Sequence, residues 1–376
     1  MVIKGGKVLN DEFRFVEADV TIKGETIEKI TTADECDIDA TNCYVVPGFI
    51  DTHFHGINGE ELVYPNENGL KVIAEGMAKM GTTSIVPAIS AAPKDVLLNA
   101  IEVVLKQAQK QSDESANFLG IHLEGPFFSV KFKGAHHPKN IRMPDVCEFT
   151  EYVDKAKGYL KIMTMAPEND GADDVIKCAT ENNVCISIGH TDASMEEVLH
   201  AVDLGAKQGT HTFNAMRGLN HREPGTVGGI LFSDAKAEII CDFFHVHPKM
   251  VKMVYDIKGP DKINLITDSV KYNGMPDGVY ENGDLTITVK DKHPYTETGA
   301  ISGSTIYLID AVRNLVSIGI PLEDVCKMAS KNPAETVGAY NYVGSIAPGK
   351  RADIVILDKE LNIKNVVLRG KVIQSK

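Results

Sequence analysis

Between residue 48 and about residue 270 the chain changes its hydrophobic period again and again. Short apolar, β-rich runs ("GFIDTHFH", "TTSIVPAI", "FLGIHLEG", "YLKIMTMAP", "VCISIGHT", "GTHTFNA", "EIICDFFHV", "INLITDS") recur along this stretch. Between many of them lie segments with apolar residues at helical spacing, such as "PKDVLLNAIEVVLKQAQKQ", "SMEEVLHAVDLG" and "HPKMVKMVYDI". Strands that alternate with amphipathic helices pair in parallel through right-handed crossovers. The eight runs predict an α/β fold, a (β/α)8 TIM barrel, whose functional groups gather where the strands end. "STIYLIDAVRNLVSIGI" and "PLEDVCKMASKNPAETVGA" read as helices after the eighth strand.

The two ends of the chain are written differently. "VIKGGKVLN", "EADVTIKGETIEKIT" and "CYVVPG" are short strands punctuated by Gly, Asn and Asp, and "DIVILDKELNIKNVVLRGKVIQ" near the C-terminus has the same style. Residues 1–47 and 343–376 are therefore expected to pair into one small sheet domain flanking a barrel over 48–342. A chain of 376 residues that is 43% hydrophobic can bury a large core. Its net charge of −13 argues against a nucleic-acid partner or an anionic membrane. Seven cysteines without a CxxC spacing read as reduced thiols of a cytoplasmic protein. The N-terminus has no apolar leader-like core, and no apolar run reaches membrane-spanning length.

The tips of the eight runs carry the chemistry. The first ends in His53 and His55, which an extended strand would project to one face. The third ends in Glu124, the fifth in His190, the seventh in His245 and the eighth in Asp268, while the sixth carries His211. In a barrel these tips share one rim. Neutral imidazoles and carboxylates converging there are the ligand types of a divalent metal site, and a carboxylate such as Glu124 can bridge two ions. His122, two residues before Glu124, reads as a supporting or core residue.

With these motifs in hand, the chain resembles the amidohydrolase superfamily over nearly its whole length. Within it the resemblance is to the N-acetylglucosamine-6-phosphate deacetylases. The opening HxH of "PGFIDTHFHG" and the closing "PGKRADIVILD" are signals of the superfamily, "LEGP", "KGAHHP" and "THTFNAMRGLNHREPG" are specific to the deacetylases, and "IGHTDA" and "LITDS" add to the match. The resemblance implies a barrel beside a small β-sandwich formed by both chain ends. It also implies hydrolysis of the acetamide of an amino-sugar phosphate, using one or two divalent ions per subunit (Zn, Fe, Mn or Co). The implied metal ligands are Glu124, His190 and His211, with His53 and His55 holding a second ion. Asp268 is implied as the catalytic acid–base and His136 as the partner of the acetyl oxygen. Arg222 of "HREPG" is implied to reach phosphate from a neighbouring subunit of a homodimer, or of a tetramer. His245 and the backbone around Asn214 and Ala215 would complete that subsite, and residues 301–305 would cover it.

The fourth run ends "APE" with no lysine at its tip, which disfavours relatives that use a carboxylated lysine there. Phe127 stands where the deacetylases often have tryptophan. The motifs do not separate the N-acetylglucosamine from the N-acetylgalactosamine epimer. An inactive amidohydrolase-like scaffold would have shed ligands, and none is missing here.

Overall fold

The computed structural model describes residues 1–110, 112–282 and 285–373. The barrel strands form at Phe49–Asp51, Thr82–Ile85, Ile121–Glu124, Leu160–Met165, Cys185–Ile188, Gln208–Gly209, Lys236–Ile240 and Ile263–Ile266. Every ladder among them is parallel. The second and third strands are each split. Thr82–Ile85 pairs with Asn117–Phe118, and beyond Pro87, which has no N–H to give, Ala88–Ser90 pairs with Ile121–Glu124. The circle closes through backbone bonds between the eighth and first tips, from Asp268 N–H to His53 O (2.8 Å) and from His55 N–H to Ser269 O (2.6 Å). Ile121–Glu124, Cys185–Ile188 and Ile263–Ile266 are buried at every position, as parallel strands covered by helices must be.

The helical stretches pack as their periodicity requires. Lys94–Ala108 turns Leu97, Ala100, Ile101, Val104 and Leu105 inward. Met195–Leu204 begins at Ser194, whose side chain and that of Glu197 cap each other's backbone N–H. The C-terminal helical stretch runs as Leu308–Ser317, then Leu322–Cys326, a π turn at Lys327–Lys331, and Asn332–Thr336.

Two features depart from the sequence reading. The paired strands stop short of the apolar runs: His53 and His55 lie beyond Asp51, and "GTHTFNA" contributes only its first residue to the short pair Gln208–Gly209. The tips leave the ladder because they turn. His190, His211 and Asp268 all take left-handed backbone angles (φ 50°, 29° and 49°), which re-aim their side chains at the barrel axis. The second departure is a three-stranded antiparallel sheet, Gly278–Asn282, Leu285–Lys290 and His293–Thr296, between the eighth strand and Leu308–Ser317. Its own core is small, made of Tyr272, Ile287 and Val289, so the segment carries little apolar signal.

The chain ends do meet. Tyr44–Pro47 pairs antiparallel with Ile354–Leu357 inside a six-stranded sheet that also takes in Lys7–Leu9, Phe15–Glu17, Ile363–Leu368 and Lys371–Ile373. A four-stranded sheet of Thr26–Thr31, Asp19–Lys23, Val2–Lys4 and Ile38–Asp39 faces it. Ile3, Val20, Ile22 and Ile27 from one end share a core with Ile354, Ile356 and Val367 from the other. The Ile354→Ala variant should therefore lose about 2–5 kcal/mol of stability, read from the urea midpoint. A loss under about 0.5 kcal/mol, the size of a surface change, would contradict a core shared by the two ends.

Candidate metal centre and active site

Five imidazoles converge on one carboxylate. Glu124 Oε1 lies 3.3 Å from His53 Nε2, 3.1 Å from His190 Nε2 and 3.3 Å from His211 Nε2. Its Oε2 lies 3.3 Å from both His55 Nε2 and His136 Nε2. Asp268 Oδ1 sits 3.2 Å from His55 Nε2 and 3.9 Å from His53 Nε2. The tips of the first, third, fifth, sixth and eighth strands thus meet as the sequence predicted. His53, Glu124, His190 and His211 are buried, while His55 and Asp268 keep partial access to the cavity above.

The far sides of three rings are tied to acceptors. His53 Nδ1–H donates to Glu238 Oε2 (3.0 Å), and His190 Nδ1–H donates to the Phe132 carbonyl (3.0 Å). His55 Nδ1–H donates to the Ala88 carbonyl (2.9 Å), with Ser90 Oγ also 3.0 Å away. With Nδ1 carrying the proton, each Nε2 presents a lone pair to the Glu124 carboxylate, which is itself an acceptor. His190 and His211 even face each other Nε2 to Nε2 at 3.1 Å. Lone pairs opposed at such distances repel unless a proton or a cation lies between them. Buried His53 Nε2 has no hydrogen-bond partner among the described residues, which fits a ligand atom. The donor set therefore suits a divalent ion, and the groupings His53–His55–Glu124 and Glu124–His136–His190 each bring their ligand atoms within reach of one cation.

The charges point the same way. Burial opposes ionisation of Glu124, yet His55, His53 and His136 outweigh it and hold its carboxyl well below the usual range. Burial also pushes His53 and His55 down, but Glu238 and Glu124 raise the first well above the ordinary value, and Glu124 and Asp268 raise the second to about 9. The same carboxylates favour any cation placed among these rings. Burial drives His190 down to about 4, so it stays neutral and able to ligate. Asp268 is pulled to about 2, because the bond from His55 and the charge of His53 overcome its burial. It is ionised at neutral pH.

Above the cluster lies a cavity of about 400 Å³. Its lining holds His55, Glu124, His136, His190, His211, Asn214, Ala215, His245 and Asp268 among the predicted residues. His245 donates to Asp242 (2.6 Å), whose carboxylate raises its pKa against the effect of burial. Asn214 gives both its backbone N–H (2.9 Å) and its Nδ2 (3.2 Å) to the His211 carbonyl, so its backbone N–H is not open to a ligand as expected. Ile301, Ser302 and Gly303 form part of the wall. A Cβ at Gly303 would meet Val270 Cγ1 at 2.5 Å and the Asp268 carbonyl at 2.7 Å, and its φ is +68°, so only glycine fits there. Arg222 is not brought in. It is exposed, and it does not line the cavity of the single chain.

Sequence reasoning missed several residues of the site. Glu238, fully buried, orients His53, and Asp51, pushed by burial up to about 7, accepts from Thr267 Oγ1 (2.6 Å) and the His53 N–H. Their signal was a lone carboxylate inside an apolar run, in "AEIIC" and "GFID". Glu61 and Lys271, 3.3 Å apart, also line the cavity, and nothing in their local sequence marks them.

The amidohydrolase family model matches residues 44–373. The chain is 35% identical to an N-acetylglucosamine-6-phosphate deacetylase of Lysinibacillus sphaericus, across 99% of this chain and 97% of that protein. It is 34% identical to an N-acetylgalactosamine-6-phosphate deacetylase of Escherichia coli O157:H7, across 86% of each. A mutant N-acetyl-D-glucosamine-6-phosphate deacetylase from Mycobacterium smegmatis, solved in complex with N-acetyl-D-glucosamine-6-phosphate, superposes with a TM-score of 0.93 at 31% identity, covering 100% of this chain and 99% of that one. With a barrel, a converging His/carboxylate centre and relatives that align end to end, the chain belongs to the amidohydrolase family.

Proposed function

We propose that the chain is a metal-dependent deacetylase that hydrolyses the acetamide of N-acetyl-D-glucosamine 6-phosphate, giving D-glucosamine 6-phosphate and acetate in amino-sugar catabolism and cell-wall recycling. The carrying observation is the ring of imidazole Nε2 atoms around ionised Glu124, with Asp268 beside them at the base of the cavity. The similarity to deacetylases of this substrate supports the choice. Glu124, His190 and His211 would hold the first divalent ion, and His53 and His55 would share Glu124 with a second. When bound, such an ion acidifies a water and polarises a carbonyl.

The chain's own residues supply the rest. Ionised Asp268 accepts a proton from the attacking water and returns it to the departing amine. His136, on the loop after the third strand, offers its Nε2–H to the acetyl oxygen as negative charge grows there. His245, whose cationic form Asp242 favours, reads the phosphate with the Ala215 backbone and the remaining amide hydrogen of Asn214. Arg222, exposed on its own chain, is supplied to the neighbouring subunit of a homodimer, where its fork of donors matches phosphate oxygens. The enzyme is assigned to the cytoplasm on its free cysteines.

The galacto epimer is kept as a second reading, because the galactosamine relative matches almost as well as the glucosamine one. Acetate release from the two phosphorylated epimers, compared by kcat/KM, separates them. The expected preference is for N-acetylglucosamine 6-phosphate, and no acetate from either would overturn the assignment.

Asp268→Asn keeps the side-chain shape, and asparagine tolerates the left-handed backbone at this position. The expected loss in kcat is on the order of 10²–10⁴, the usual size of general acid–base catalysis. Near-normal turnover would remove Asp268 from the mechanism. Arg222→Ala should weaken the phosphorylated substrate strongly and leave the poor turnover of unphosphorylated N-acetylglucosamine unchanged. Mixing Arg222→Ala subunits with Asp268→Asn subunits should restore part of the activity, since one mixed site holds both intact groups. No recovery on mixing would show that Arg222 does not act across the interface.

A further inference from the structure

Below the metal centre the barrel interior is polar and fully buried, and its hydrogen bonds run in one direction. Asn264 Nδ2 donates to Gln208 Oε1 (2.7 Å), which fixes how the Gln208 amide faces. Gln208 Nε2 then donates to Glu238 Oε1 (2.7 Å) and, more weakly, to Ser187 Oγ (3.4 Å). From Ser187 the hydroxyls pass through Thr210 (2.5 Å) and Thr164 (2.9 Å) to His122 Nε2 (2.8 Å), whose Nδ1–H is given to the Thr52 carbonyl (3.0 Å). Reversing the Gln208 amide would set its carbonyl oxygen against the Glu238 carboxylate, two acceptors at hydrogen-bonding distance.

Glu238 therefore meets only donors. Gln208 occupies Oε1, and His53 Nδ1 (3.0 Å) and the His211 backbone N–H (3.4 Å) approach Oε2. A carboxylate surrounded in this way requires a proton on His53 Nδ1, and the lone pair of His53 then lies on Nε2, 3.3 Å from Glu124. Glu238 does not itself line the cavity, so it acts through His53 and not on substrate.

We infer that Glu238 is a positioning residue: held by Gln208 and Asn264, it fixes His53 as the Nδ1–H tautomer and adds a buried negative charge that favours a second cation between His53, His55 and Glu124. This rests on the two-ion reading given above. A carboxylate behind a ligating histidine sets its ring orientation and raises its basicity, and removing such a partner costs roughly 10–100-fold in metal affinity.

Two measurements test it. Chelated protein is titrated with Zn2+ and its bound metal counted. Wild-type chain should take up two ions. Glu238→Gln should keep the first with unchanged affinity, showing an intact fold, and bind the second about 10–100-fold more weakly. Equal affinity for both ions in wild type and Glu238→Gln would overturn the inference. The second measurement is nitrogen NMR on chain labelled with 15N in its histidine rings, the His53 signals identified by their loss in His53→Asn. Wild type should show His53 protonated at Nδ1, and Glu238→Gln should show a mixture of tautomers. If Glu238→Gln does not fold, the wild-type spectrum decides alone: His53 protonated at Nε2 overturns the assignment. A wild-type chain that binds one ion only removes the two-ion reading, and the tautomer signals then judge Glu238 separately.

Discussion

The rest of the site depends on keeping one carboxylate ionised out of water. Glu124 is almost fully buried, and an isolated carboxylate there would take up a proton sooner than bear the loss of solvation. It stays ionised where protons or a cation lie between it and the five imidazole Nε2 atoms that surround it at 3.1–3.3 Å. That demand explains why several strand tips turn through left-handed backbone at His190, His211 and Asp268 instead of continuing their ladders. The parallel strands and the covering helices pay for that local strain with a large apolar core. It also explains the second layer behind the rings, where Glu238, the Phe132 carbonyl and the Ala88 carbonyl hold His53, His190 and His55 with their lone pairs turned inward.

Precision at this centre comes from the barrel, and breadth of recognition comes from what is laid over it. Glu124 and its ligand rings sit at or just past strand ends, where neighbouring ladders fix the backbone. The cavity walls come from longer segments: the loop bearing His136, the turn bearing Asn214 and Ala215, and Ile301–Gly303 beyond the inserted three-stranded sheet. The protein carries a net charge of −13, yet His245 and Lys271 line this cavity. Local cationic groups in an acidic molecule suit a small anionic substrate better than a polyanion.

Much of this was legible in the sequence because it lies in pattern. Strand–helix alternation gives the barrel, and the residues at the ends of those runs give Glu124, His190, His211, His53, His55 and Asp268. These are positions where chemistry-bearing residues interrupt apolar runs. The pairing of the chain ends was legible from their shared style of short strands. What was not legible depends on distance in space without local signal. Glu238 reads as one charge in "AEIIC", and only the fold sets it against His53, 185 positions away. The inserted sheet alternates polar and apolar residues over too small a core to announce itself. The turn at Asn214 spends its N–H groups on the His211 carbonyl, which no motif reveals. Arg222 is exposed on its own chain, so the part proposed for it would depend on assembly, which a single sequence carries only through resemblance.

The central claim is that the imidazoles around Glu124 hold a divalent ion on which acetate release depends. Protein stripped with a chelator and titrated with Zn2+, Fe2+, Mn2+ or Co2+, with bound metal and acetate release from N-acetylglucosamine 6-phosphate followed together, tests it most directly. The expected result is an inactive stripped chain whose activity returns in step with one to two ions bound per chain, and no return in His190 or His211 variants. Full acetate release from a chain carrying no bound metal would contradict it.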